Sequence, residues 1–153
     1  MKIVLAISAL GLLSMPAVAN DALKIKTIKE LYDSSVFYNV EDEIYDADPK
    51  VIYNYADDAL AQALILQDAV LEKEGMVCGE FLGAVMWDTN DADFETKINY
   101  SVNRDGRVKV EFGYGGTAQY ALSCGKTSCK ITDMYINDTP PISLKSAINK
   151  NCR

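Results

Sequence analysis

From Ala22 to Val36, residues Ile25, Ile28, Leu31, Tyr32, Ser35 and Val36 recur at close to 3.6-residue spacing, while Lys24, Lys26 and Lys29 mostly fall off that face. The spacing predicts an amphipathic helix with Asp21 as its N-cap. The stretch Asn39 to Asp48 is acidic and without period, and reads as a loop. Asp48-Pro49 then offers a cap and a favoured first helical residue. Beyond it Ile52, Tyr55, Ala56, Leu60, Ala63, Leu64 and Val70 form a long apolar stripe, which predicts a second helix running to Glu74 and stopped by Gly75.

After Gly75 the pattern turns to alternation. Residues 95–102 place Ile98, Tyr100 and Val102 on one face, and Arg107 to Tyr114 places Val108, Val110, Phe112 and Tyr114 on one face. Asn103-Arg104-Asp105-Gly106 lies between them, and an Asp-Gly pair joining two alternating runs signals a hairpin. Gly113, Gly115 and Gly116 read as a bulge or bend in a curved sheet rather than a phosphate cradle. Two further strands are predicted over 118–124 and 129–136. Pro140 and Pro141 lead into a short last helix, Ser143 to Asn149, capped by Ser143. The expected fold is α+β: two N-terminal helices packed on a curved four-stranded antiparallel sheet, with a short C-terminal helix.

The start of the chain changes how the cysteines are read. Lys2, the apolar run Ile3 to Leu13 and the small residues Ala17 and Ala19 around Val18 have the form of a secretory signal peptide covering residues 1–19. The run is too short to span a bilayer comfortably, and no second long apolar stretch follows it. Cleavage after Ala19 leaves a single α+β domain over 20–153, expected in an oxidising space, periplasmic or secreted. There the even set Cys78, Cys124, Cys129 and Cys152 reads as two disulfides. Three pairings are open; the four-residue turn between Cys124 and Cys129 favours that pair, with Cys78 bound to Cys152. Paired C-x-x-C knuckles are absent, which disfavours a zinc site or a redox-active dithiol.

Charge and residue types narrow the chemistry. The full chain carries 15 basic and 22 acidic side chains, a balance that disfavours nucleic acid and anionic membrane as partners. It suits a basic protein partner, or simply solubility. Histidine is absent, which removes the commonest general base and metal ligand. The segment Met86 to Glu95 gathers Asp88, Asp91, Asp93 and Glu95 in a spacing similar to a calcium loop, but Asp93 stands where such a loop needs glycine. It therefore reads as solvated, and neither metal nor cofactor is expected. Glu41, Asp42, Glu43, Asp46 and Asp48 form a second acidic cluster, a solvated connector able to meet a basic partner. Gly125-Lys126-Thr127 resembles the end of a phosphate loop, yet Tyr120 occupies the position where that loop begins with glycine, so this is a hairpin turn. Tyr100, Tyr114 and Tyr120, among nine tyrosines, fit either interface anchors or strand packing. Asn99-Tyr100-Ser101 and Asn137-Asp138-Thr139 match glycosylation acceptors, relevant only in a eukaryotic source.

The order of two helices, MWDTNDADF, a strand hairpin ending VEFGYGG, YALSC followed by CKITDMYIND, and SLKSAINKNC resembles the bacterial exported family called domain of unknown function 3828. Lys130-Ile131-Thr132-Asp133 and Ser143-Leu144-Lys145 carry most of the likeness. Cys129 departs from it, standing where members often have tryptophan. The resemblance implies a cystatin-like, nuclear-transport-factor-like cone, and some similar proteins are periplasmic immunity proteins that neutralise amidase toxins of type VI secretion. Three functions are thus expected in order. The first is a non-enzymatic binding protein for a protein partner such as a toxin, using Glu41, Asp42, Glu43 and Asp46 or Asp88, Asp91 and Asp93. The second is a small-ligand-binding or catalytic cone. The third is a structural envelope protein. No oligomeric state follows from the sequence.

Overall fold

The computed structural model describes residues 15–152, with side-chain surroundings from Asn20 onward. Most of the expected signal segment lies outside the described residues. Helix α1, Met15–Ser35, buries Ile28, Leu31, Tyr32 and Ser35, and the Lys26–Glu30 and Lys29–Asp33 pairs lie on its solvent side.

The expected loop after α1 is instead a two-stranded ribbon. Strands β1, Val36–Asn39, and β2, Ile44–Ala47, pair antiparallel from Val36↔Ala47 to Asn39↔Ile44. Phe37-Tyr38 and Ile44-Tyr45 are good strand formers, and Asn39 builds the turn between them. Its Oδ1 accepts from the Glu41 amide at 3.0 Å and its Nδ2 donates to Asp42 Oδ2 at 2.8 Å.

The single second helix expected from the apolar stripe is split. A 3-10 helix covers Pro49–Asn54, with Asp48 accepting from the Lys50 amide, and α2 covers Asp58–Glu74 with Asp57 as N-cap on Leu60. The break has a tertiary cause. Residues 55–57 pair with the strand Cys129–Ile136: the Ile131 amide donates to Tyr55 O at 2.9 Å and the Asp57 amide to Ile131 O at 2.8 Å. Backbone drawn into a sheet cannot also continue a helix. Gly75 ends α2 at φ 69°, its amide donating to Leu71 O.

A third helix follows that the sequence did not reveal: α3, Leu82–Trp87. Two tyrosine hydroxyls hold its last carbonyls, Tyr32 donating to Met86 O and Tyr114 to Trp87 O at 2.5 Å. Strands β3, Ile98–Val102, β4, Val108–Phe112, β5, Thr117–Cys124, and β6, Cys129–Ile136, form an antiparallel meander, and a short β7, Ile142–Ser143, extends it. The sheet thus has five strands in sequential order, not four. The ladder between β5 and β6 carries an irregularity at Ala121/Leu122. Gly113, Gly115 and Gly116 make the β4–β5 turn rather than a bulge, with Gly115 at φ 99°. Helix α4, Leu144–Asn151, begins at the Ser143 cap, whose Oγ accepts from the Ser146 amide at 3.0 Å.

The described elements form an α+β fold around one core, with Leu31, Leu60, Trp87, Val110, Tyr120 and Ile131 all buried in it. The Tyr32 ring is central to it, edge-on to Trp87 at 4.9 Å and packed against Phe112 and Tyr120. Space between helices and sheet is thereby filled with side chains. Cys78 with Cys152, and Cys124 with Cys129, lie at disulfide distance, the two pairs favoured by spacing. The first closes a ring containing α3, β3 to β7 and α4, with α1, the ribbon and α2 outside it.

Candidate binding surfaces on the ribbon and beside helix α3

Strands usually bury one face, but β1 and β2 bury little beyond the base of the ribbon at Val36 and Ala47. Phe37, Tyr38, Val40, Ile44 and Tyr45 are all exposed, Val40 at 78%. Five of the twelve exposed large apolar side chains among the described residues therefore fall within nine positions, a concentration that scattered surface residues do not produce. Tyr38 and Tyr45 face each other across the ladder with ring centres 5.2 Å apart.

This ribbon meets the loop after α3. A groove of about 440 Å³ lies between them, lined by Tyr38, Glu43, Ile44 and Tyr45 on one side and by Asp93, Phe94 and Glu95 on the other. The two acidic segments of the sequence thus converge through Glu43 and Asp93. Glu41 and Asp42 are exposed at the ribbon turn, and Asp46 is half-buried, its Oδ1 accepting from the Ala47 amide. Asp91 is exposed in the loop, its amide donating to Thr89 Oγ1. Asp88 is placed differently: its Oδ2 accepts from the Thr117 amide at 2.8 Å and from Asn137 Nδ2 at 3.0 Å, which ties the end of α3 to the sheet. No Lys or Arg occurs in 36–48 or 88–95, and among the described residues the ion pairs all lie elsewhere. The carboxylates of the groove and turn consequently give this surface a negative potential.

A second cavity, of about 370 Å³, lies between the 3-10 helix, α2 and α3. Leu71, Phe81, Leu82 and Trp87 supply apolar wall, and Tyr53 OH donates to Asp68 Oδ2 at 3.0 Å on its polar side. Ala92 and Phe94 line both this cavity and the ribbon groove. Sequence reasoning missed it because its floor is α3.

Tyr32, Tyr53, Tyr100, Tyr114 and Tyr120 hold their protons firmly. Burial, then the Asp88 and Asp93 carboxylates, pushes Tyr114 up to about 12. Burial raises Tyr53, with Asp68 adding to it, and burial likewise raises Tyr100, with Asp33 adding. Burial is also the first cause that raises Tyr32 and Tyr120, whose hydroxyls face each other in the core. None of these phenols is poised to act as a base near neutral pH. The Trp87 indole nitrogen is buried without a hydrogen-bond partner among the described residues.

Among the described residues no group of three or more acidic, cysteine or histidine side chains is arranged to hold a metal ion. No described helix is long and apolar enough to cross a membrane. The chain matches no protein-family model, no curated protein and no solved structure.

Proposed function

We propose that this protein is a non-enzymatic binding protein that grips a protein partner with the β1–β2 ribbon and the adjoining groove. The partner surface it fits presents lysine or arginine beside apolar side chains. One observation carries this reading: Glu41, Asp42, Glu43, Asp93 and Glu95 form no ion pair among the described residues, and they surround a ribbon whose Phe37, Tyr38 and Ile44 are left in water. Aromatic and aliphatic anchors inside a charged rim are the anatomy of a protein interface. A two-stranded ribbon also leaves each strand with an edge unpaired by any other strand, so an extended partner segment can add to it through backbone hydrogen bonds.

Two cysteine pairs at disulfide distance support an oxidising compartment, and the leader-like residues 1–19 support export. On the resemblance to domain of unknown function 3828, the compartment is the periplasm, the fold is the cystatin-like cone, and the partner is a secreted toxin that the protein neutralises by contact.

The test is capture from periplasmic extract of the source cells with the full exported protein, followed by affinity measurement on the purified partner. Reversing Glu41, Asp42 and Glu43 to lysine together should weaken binding at least tenfold and flatten its dependence on salt. A captured partner whose affinity ignores that change, or failure to capture any, refutes the reading.

A further inference from the structure

We infer that the cavity between the 3-10 helix, α2 and α3 binds a small amphipathic molecule with an apolar body and an amine head group that meets Asp68. The volume of about 370 Å³ lies at the small end of the range occupied by small-molecule sites. Its mouth is built from apolar side chains left in water: Phe81, just before α3, is 61% exposed, and Leu71 on α2 is also exposed. Covering them with a ligand recovers area that the fold itself leaves unburied.

The head group follows from the charges. Lys50 and Asp68 are the two ionic side chains in the lining, and they differ in how they are held. Asp68 projects from α2 and is fixed by the Tyr53 hydroxyl at 3.0 Å. Lys50 approaches the same oxygen only to 3.8 Å, and its side chain is mostly exposed. Such a loose surface pair is weak, and its lysine swings away at little cost. The fixed charge at the cavity is therefore negative. A net charge of −7 for the chain adds a long-range field that favours a cationic ligand and disfavours a carboxylate. Asp68 lies outside the ribbon groove, so this site stands or falls independently of the protein-binding reading.

Trp87, the sole tryptophan, lines the cavity and makes its emission a direct reporter. Decylamine, decanol and decanoate, each kept below micelle formation, are titrated into the full protein. Decylamine should give a saturable change and bind at least tenfold more tightly than either of the others. Asp68→Asn keeps an acceptor for Tyr53 and should remove that advantage while leaving decanol unchanged. Gly83→Leu adds bulk from α3, where a Cβ would meet nothing closer than Pro49 Cγ at 3.9 Å, and should weaken all three ligands. Should that variant not fold, the Asp68→Asn comparison decides alone. No saturable response to any probe, decanol or decanoate binding as tightly as decylamine, or an undiminished preference for decylamine in Asp68→Asn would each overturn the assignment.

Discussion

Replacing Tyr32 by phenylalanine removes one oxygen from the middle of the core, and the direction of its hydrogen bonds fixes the cost. Met86 O can only accept, so the single Tyr32 proton is committed to it. The 2.7 Å contact between the two hydroxyls is then a donation from Tyr120 to Tyr32. Tyr32→Phe therefore strands two buried groups, the Met86 carbonyl at the end of α3 and the Tyr120 hydroxyl. At about 1–3 kcal/mol for each of the two unsatisfied groups, the loss is about 2–6 kcal/mol. Tyr120→Phe strands none, because Tyr32 still donates to Met86 O, and forfeits one net hydrogen bond of about 1 kcal/mol. The double variant should cost less than the two single losses added, since the stranded Tyr120 hydroxyl is gone. Reversible urea unfolding followed by Trp87 emission measures all three, the indole lying 4.9 Å from the Tyr32 ring. Tyr120→Phe costing as much as Tyr32→Phe would refute the assigned proton order, and a loss under about 0.5 kcal/mol for Tyr32→Phe would show that the carbonyl finds another partner.

Further outcomes follow from other parts of the fold. The two cysteine pairs are 74 and 5 residues apart in sequence. Chain entropy then assigns about 4–5 kcal/mol to the Cys78–Cys152 link and about 2 kcal/mol to Cys124–Cys129; equal costs for the paired alanine variants in urea would refute that account. Tyr32, Tyr53, Tyr100, Tyr114 and Tyr120 all have raised folded values, Tyr114 about 12 against an unfolded value near 10. Their stabilisation is complete below about pH 10 and is lost as pH climbs through the folded values, because the unfolded chain releases these protons first. Phenolate absorbance near pH 11 should accordingly be lower in the folded protein than in urea, and superimposable titrations would contradict it. At Gly116 an added Cβ would sit 2.7 Å from Tyr114 Cε2. Gly116→Ala should displace the ring from its stack on Phe112 and destabilise by about 1–3 kcal/mol; an unchanged urea midpoint would mean that the ring yields freely.

Periodicity reports burial, and this explains which elements could be read from the sequence. Helix α1, the strands β3 to β6 and the caps at Gly75 and Ser143 each turn one face to the core or use a residue with a fixed backbone role. The β1–β2 ribbon buries almost nothing, so Phe37-Tyr38 and Ile44-Tyr45 show no alternation and the acidic turn dominates the local composition. The split before α2 has the opposite origin. Ile52, Ala56 and Leu60 are buried on either side of it, so the apolar stripe continues unbroken while pairing with Ile131 interrupts the helix. Helix α3 has six residues and β7 two, too short for any period to register. The acidic residues of the groove were legible as a type. Their meeting was not, since Glu43 and Asp93 are fifty positions apart and nothing local to either encodes the other.

The ring closed by Cys78 and Cys152 also constrains the order of assembly. Ribosomes deliver chains amino-terminus first, and Cys152 is the last of the four thiols to be made. In the unfolded chain Cys78 lies nearer in sequence to Cys124 and Cys129 than to Cys152, so the wrong loops close more readily than the native one. A mispaired crosslink at this stage would trap the meander with its first strands tethered wrongly, and escape would require thiolate attack and reshuffling. Maturation of this protein should therefore lean on an isomerase more heavily than its small number of crosslinks would imply.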